Sequence, residues 1–210
     1  MLFNMAHKVV IIEPINMIRD TLKMILHEES NATLQGTLSN ISSLFPLLEM
    51  REVNVVFSEV FDEKISLVDG INSLRMLKSN YPNIDLIVHT EIEEPALLIQ
   101  TNADAIYSKR NSVELTRLNF RKILTEKKVI SAHFYEDRKM LSDYSYLSEY
   151  EWKILVLFCR VQNIRDIATI LKCSYRSVSR VKRNIMRALK ITNNTQFKIM
   201  INHLNKKMGQ

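Results

Sequence analysis

The twelve residues RSVSRVKRNIMR, positions 176–187, carry five cations and no carboxylate. Val178, Val181, Ile185 and Leu189 recur there every three or four residues, the period of a helix with one buried face. A helix over Tyr175–Leu189 then turns Arg176, Ser179, Arg180, Lys182, Arg183 and Arg187 to the other side. A planar guanidinium can grip guanine through two parallel hydrogen bonds, while ammonium and guanidinium groups on the flanks hold phosphates. Surface helices ordinarily mix both charge signs. A helix with cations alone, directly after a short turn, is expected to meet a polyanion.

The elements needed to position that helix are legible around it. A preceding helix is expected over Ile164–Leu171, with Ile167, Ala168 and Leu171 inward. Lys172-Cys173-Ser174 forms the turn, and Ser174 can cap the next helix. Two short helices joined by three residues have helix-turn-helix geometry, which places its second helix in the DNA major groove. Upstream, Ser148 and Glu151 form a capping box, followed by Trp152, Leu155, Val156 and Cys159 as a buried face. A fourth helix is expected over Thr195–Leu204. Charge follows the same division. From Leu147 onward there are 13 Lys/Arg against 3 Asp/Glu, whereas residues 1–146 hold 16 against 20. The basic balance of the chain therefore belongs to its last third and marks a nucleic-acid partner.

The first 125 residues alternate short apolar runs with helical periods. Strands are expected at Lys8–Ile12, Thr33–Gly36, Val53–Ser58, Leu86–His89 and Ala105–Tyr107. Helices fall between them, the third carrying Leu74, Leu77 and Tyr81 and stopping at Pro82. A fourth is expected near Glu94–Gln100, and a fifth over Val113–Leu124 with Asn111 as its candidate N-cap. This alternation implies a five-stranded parallel sheet covered on both faces, an α/β domain, followed by an all-α four-helix domain. The expected boundaries are 1–125 for the first domain, 126–146 for a charged linker and 147–210 for the second.

Several classes are disfavoured. The two cysteines, Cys159 and Cys173, and the five scattered histidines show no metal spacing. No Ser/His/Asp arrangement or glycine-rich phosphate loop is visible, so neither an enzyme nor a bound cofactor or metal is expected. No apolar run reaches the roughly 18 residues of a membrane helix. The opening MLFNMAHKVVIIEP lacks a signal peptide's early basic region and small-residue cleavage site. A cytoplasmic protein without membrane contact is the expectation.

Residues 147–191 resemble the LuxR-type output domain of the NarL/FixJ response regulators. The shared pattern is Leu147, Ser148 and Glu151, then Ile167-Ala168, then Ser174, Ser177 and Val178, then Asn184, Ile185 and Leu189. Val161 and Lys190 stand where the family usually has glycine. The resemblance implies sequence-specific binding of double-stranded DNA. Base contacts would come from Ser179, Arg180 and Arg183, and phosphate contacts from Arg176, Lys182, Arg187 and Lys190, with Ser177 in the same face. It also makes Phe197, Met200, Ile201 and Leu204 either dimer contacts or a cap on the core.

Residues 8–124 resemble the receiver domain of the same regulators, in a degenerate form. Glu13 keeps one position of the family's acidic pair, but Pro14 replaces the other. Glu59 falls at the phosphoacceptor aspartate, while Thr90 and Lys109 match the switch threonine and the lysine. The implied pocket of Glu13, Glu59, Thr90 and Lys109 is poor in metal ligands, and Glu59 beside Lys109 imitates a phosphorylated acceptor. Such receivers resemble those of Rcs-type auxiliary regulators. This implies a phosphorylation-independent transcription regulator, acting as a homodimer or as a heterodimer with a conventional response regulator. The alternative is an adaptor that captures a partner regulator without strong DNA binding of its own.

Overall fold

The computed structural model describes residues 6–125, 144–161 and 163–209. Strands β1 (His7–Ile12), β2 (Ala32–Leu38), β3 (Val55–Ser58), β4 (Asp85–Thr90) and β5 (Ala105–Ser108) form one parallel sheet. Their order is β2-β1-β3-β4-β5. Successive side chains on a strand point to opposite faces. Val9 and Ile11 therefore pack with α1 (Asn16–His27) and α5 (Val113–Thr125), where Phe57 stacks on Phe120. Val10 and Ile12 face the other layer, of α2 (Leu44–Met50), α3 (Leu67–Asn80) and α4 (Pro95–Leu98). Both faces are covered, which is why residues 9–12 read as an unbroken apolar run.

The strand order reverses between β1 and β3, so the carboxyl ends of these two strands open onto a common crevice, the usual location of a site in such sheets. Glu13 follows β1 and Glu59 follows β3. α3 approaches this edge so closely that a Cβ on Gly70 would lie 1.5 Å from the Val60 carbonyl oxygen. Only glycine fits there, and the contact fixes the backbone immediately after Glu59. Helix α5 is capped by Ser112, whose hydroxyl accepts from the Leu115 N–H at 3.2 Å, and not by Asn111 as the sequence pattern suggested. The last residue before the helical φ/ψ run takes the cap, one position later than the apolar period indicates.

The second half contains α6 (Glu149–Val161), α7 (Ile164–Ile170), α8 (Tyr175–Ala188) and α9 (Asn194–Leu204). The capping box forms: the Ser148 N–H donates to Glu151 at 3.0 Å, and the Glu151 N–H donates to the Ser148 hydroxyl at 3.3 Å. Trp152, Leu155, Phe158, Ile167, Val178, Ile185, Phe197, Ile201 and Leu204 make one core. Burying an aliphatic or aromatic side chain of this size contributes about 1.5–3 kcal/mol, so these interlocked residues hold four short helices that would not persist alone. Helices α7 and α8 both end on a left-handed lysine, Lys172 at φ 50° and Lys190 at φ 54°. Backbone bonds from Cys173 to Ala168 and from Ile191 to Met186 close these ends. Lys190 thus holds, at some strain, the conformation for which a glycine is favoured.

The expected linker lies, over residues 126–143, outside the described residues. The buried core is nonetheless continuous between the halves. α3 and α4 of the first lie against α6 and α9 of the second, with Trp152 donating to Asn72 at 3.0 Å and Glu94 3.2 Å from His203.

Candidate nucleic-acid interface and a buried charge cluster

Ser174 starts α8 from an extended backbone, and its hydroxyl accepts from the Ser177 N–H at 3.1 Å. With the first turn fixed, Val178, Val181 and Ile185 sink into the core. Arg176, Arg180, Arg183 and Arg187 are exposed on the opposite side. Among the described residues none of these four guanidiniums pairs with a carboxylate. Unpaired, hydrated cations along one helix face are available to phosphate oxygens and base edges. Ser179 is half-buried beside them. Ser177 is occupied locally, its hydroxyl 2.9 Å from that of Ser174.

Lys182 departs from the expected phosphate-facing position. Its ammonium lies 4.5 Å from the ring centroid of Phe197 and 5.7 Å from that of Phe158, and it donates to Asn194 at 2.9 Å. Burial pushes its pKa below the ordinary lysine value, with Lys198 nearby adding to the effect. A four-carbon stem can follow apolar surface and carry its charge to the aromatic faces, so Lys182 ties α8 to α6 and α9. Phe197, Ile201 and Leu204 are buried in the core, which leaves Met200, half-buried, and Ile199, exposed, on the outer side of α9.

At the sheet's carboxyl edge the four pocket residues come together. The Lys109 ammonium lies 2.8 Å from Glu13 and 2.6 Å from Glu59, with the side chains only 7%, 1% and 1% exposed. The Val60 N–H donates to Glu59 at 2.6 Å, and Thr90, fully buried at the end of β4, uses its hydroxyl to accept from the Ile92 N–H at 3.2 Å. On the other side, Glu13 accepts from the Ile15 N–H at 3.0 Å. Burial raises the Glu59 pKa despite the pull of Lys109. Burial also works to lower that of Lys109, but Glu59 and Glu13 together outweigh it and the ammonium is held above its ordinary value. His89, at the end of β4, is pushed down to about 3 by burial and by Lys109, so it is a neutral imidazole. This donor set does not fit Mg²⁺. Both carboxylates are already taken by one ammonium, whose charge repels a dication, and Pro14 offers no oxygen from its side chain.

Arg75, Gln100 and His89 are among the buried polar residues to which the sequence reading gave no role. Arg75 carried a signal, because it falls in the helical stripe of Ile71 and Leu74 where an apolar residue belongs. Gln100 and His89 carried none.

Residues 145–201 match the model of the luxR family of bacterial regulatory proteins. No curated protein matches the chain. Among solved structures, it is similar to the RcsB response regulator of Salmonella enterica serovar Typhimurium bound to promoter rprA in the presence of phosphomimetic BeF3-. Identity there is 19% over 94% of this chain and 98% of that one, with a TM-score of 0.63. RcsB bound to promoter P1flhDC gives 20%, 95%, 98% and 0.62. The isolated REC domain of RcsB gives 17% identity over 62% of this chain and 96% of that one, with a TM-score of 0.55. At these identities the likeness shows the fold: a receiver-like α/β domain followed by a helix-turn-helix domain.

Proposed function

We propose that this chain, whose residues 145–201 form a LuxR-type helix-turn-helix domain, is a sequence-specific DNA-binding transcription regulator that works without phosphorylation. The exposed arginine face of α8, without a carboxylate partner among the described residues, carries the reading. Arg180 and Arg183, one turn apart, are assigned to base edges together with Ser179. Arg176 and Arg187 are assigned to phosphates. The related RcsB structures contain DNA, which supports the assignment of α8 to the groove.

The receiver-like domain supplies a fixed conformation in place of a switch. A receiver aspartate gains charge when it is phosphorylated, and its lysine and threonine then close on the phosphoryl group. Here the Glu59 carboxylate already holds Lys109 at 2.6 Å. A two-half-site operator requires two reading helices, so the functional form is a dimer, with itself or with a conventional response regulator.

Selection of duplexes from a random pool by the full chain, alone and with candidate partner regulators, tests this reading. A defined motif is expected, relaxed at particular base pairs in Arg183→Ala. Enrichment of no motif under either condition overturns it and leaves the adaptor role.

A further inference from the structure

The junction between the two halves is built from buried polar side chains whose partners lie across it. Arg75, on α3, is 4% exposed. Its guanidinium donates to the Gln100 carbonyl at 3.1 Å, reaches the Leu147 carbonyl at 3.5 Å, pairs with Glu149, and lies 5.1 Å from the Trp152 ring centroid. Gln100 has no exposed surface. Its amide oxygen accepts from the Leu147 N–H at 2.8 Å and its amide nitrogen donates to the Ser145 carbonyl at 3.1 Å. These two side chains thus grip residues 145–149, the entry to α6. Two backbone bonds close the far side, from Leu67 N–H to the Lys206 carbonyl at 3.0 Å and from Met208 N–H to the Asp62 carbonyl at 3.1 Å.

A buried guanidinium is costly unless its donors are satisfied. Here Nε meets no acceptor among the described residues, while Leu147 and Glu149, which take Nη2, belong to the second half, so separation would leave Arg75 and Gln100 to find water instead. The arrangement is directional as well. It engages α6 and α9 and leaves the arginines of α8 exposed, so the docked state does not cover the reading face.

We infer that Arg75 and Gln100 are positioning residues that fix the angle of the DNA-binding domain, so that a dimer of this chain reads two half-sites at one set separation. A domain on a loose tether would accept several separations. A domain gripped at its entry and at its tail accepts one. The inference rests on the DNA-binding reading above, but the grip itself can be tested without DNA.

Trp152 is the only tryptophan of the chain and is 3% exposed against Asn72 and Arg75. In the full-length protein, Arg75→Ala is expected to shift its emission to the red and raise acrylamide quenching at least two-fold, with helix content unchanged. Gln100→Ala, which removes the other half of the grip, should move both readouts in the same direction. Arg75→Lys should not restore them, since an ammonium cannot reproduce the planar fork. Binding is then measured on duplexes carrying one selected half-site, or two at separations varied base by base over a helical turn. The wild type is expected to favour one separation by ten-fold or more, and Arg75→Ala by less than three-fold, with single half-site affinity unchanged. Unaltered Trp152 fluorescence in both Ala variants would overturn the grip. An exposed Trp152 with an unchanged spacing preference would overturn the positioning role, and so would a rise in single half-site affinity, which would make the contact an occluding one. A wild type that binds no duplex, alone or with a partner regulator, would overturn the DNA-binding reading and the spacing role together, leaving the grip to be judged by Trp152.

Discussion

Lysine and arginine are put to opposite uses at the two ends of this molecule. On α8, four guanidiniums stand in solvent, and among the described residues none pairs with a carboxylate. At the carboxyl edge of the sheet, one ammonium is buried between two carboxylates. A hydrated cation can exchange its water for phosphate or a base edge, whereas a buried cation already held on two sides has nothing left to offer a ligand. The difference lies in burial and partners more than in residue type. It separates a surface that can bind from a cluster that can only hold a shape.

The largest effects are expected in the buried cluster. Lys109→Met leaves two carboxylates desolvated without a counter-charge and should cost about 3–5 kcal/mol in denaturant unfolding. Glu59→Gln leaves the balanced Glu13–Lys109 pair and should cost much less, because burial already raises the Glu59 pKa. If the two variants are equally destabilised, the three groups do not act as a charge cluster.

His89 gives the same region a pH signature. Its folded pKa, about 3, lies below the ordinary 6.5. As pH falls through that interval the unfolded chain takes up a proton that the folded chain refuses. The stability His89 contributes is therefore full above 6.5 and declines toward 3, by at most about 1.4 kcal/mol per pH unit. Unfolding of His89→Gln compared with wild type across pH 7 to 4 should show a shallower loss. Parallel profiles would mean that His89 is not buried as a neutral ring.

On the exposed face the effects are smaller and of another kind. Arg180→Ala and Arg183→Ala should each weaken binding to the selected duplex by about 1–3 kcal/mol and relax preference at particular base pairs. Arg187→Ala should weaken all duplexes alike and reduce the salt slope by about one unit. Lys182→Ala should leave that slope unchanged and lower stability by about 1 kcal/mol, through loss of its packing on Phe158 and Phe197. A reduced slope in Lys182→Ala would place this residue on DNA after all.

Lys182 also shows where the sequence stops being informative. Helical periodicity assigns it to the exposed side of α8, since that period describes Cβ directions and says nothing of where a long stem goes. The aromatic rings that draw it in come from α6 and α9, which are distant in sequence. The strands, by contrast, were legible to within one or two residues, and for the central ones burial on both faces leaves a local mark in runs such as residues 9–12. Glu13, Glu59, Thr90 and Lys109 were found through a resemblance in spacing. The convergence of Glu13 and Glu59 on the Lys109 ammonium depends on the crossing order of the parallel strands. Arg75 was visible only as an anomaly in an apolar stripe, and its partners lie some 70 residues away. Contacts of that range leave no local pattern.

The most direct test of a preset regulator is binding of the full chain to its selected duplex with and without a small-molecule phosphodonor and Mg²⁺. The account predicts equal affinity in both conditions, no phosphate on the protein, and weaker binding, by about 1–3 kcal/mol, in Arg183→Ala. Mg²⁺-dependent incorporation of phosphate at Glu59 or an adjacent side chain, together with a gain in affinity, would contradict it.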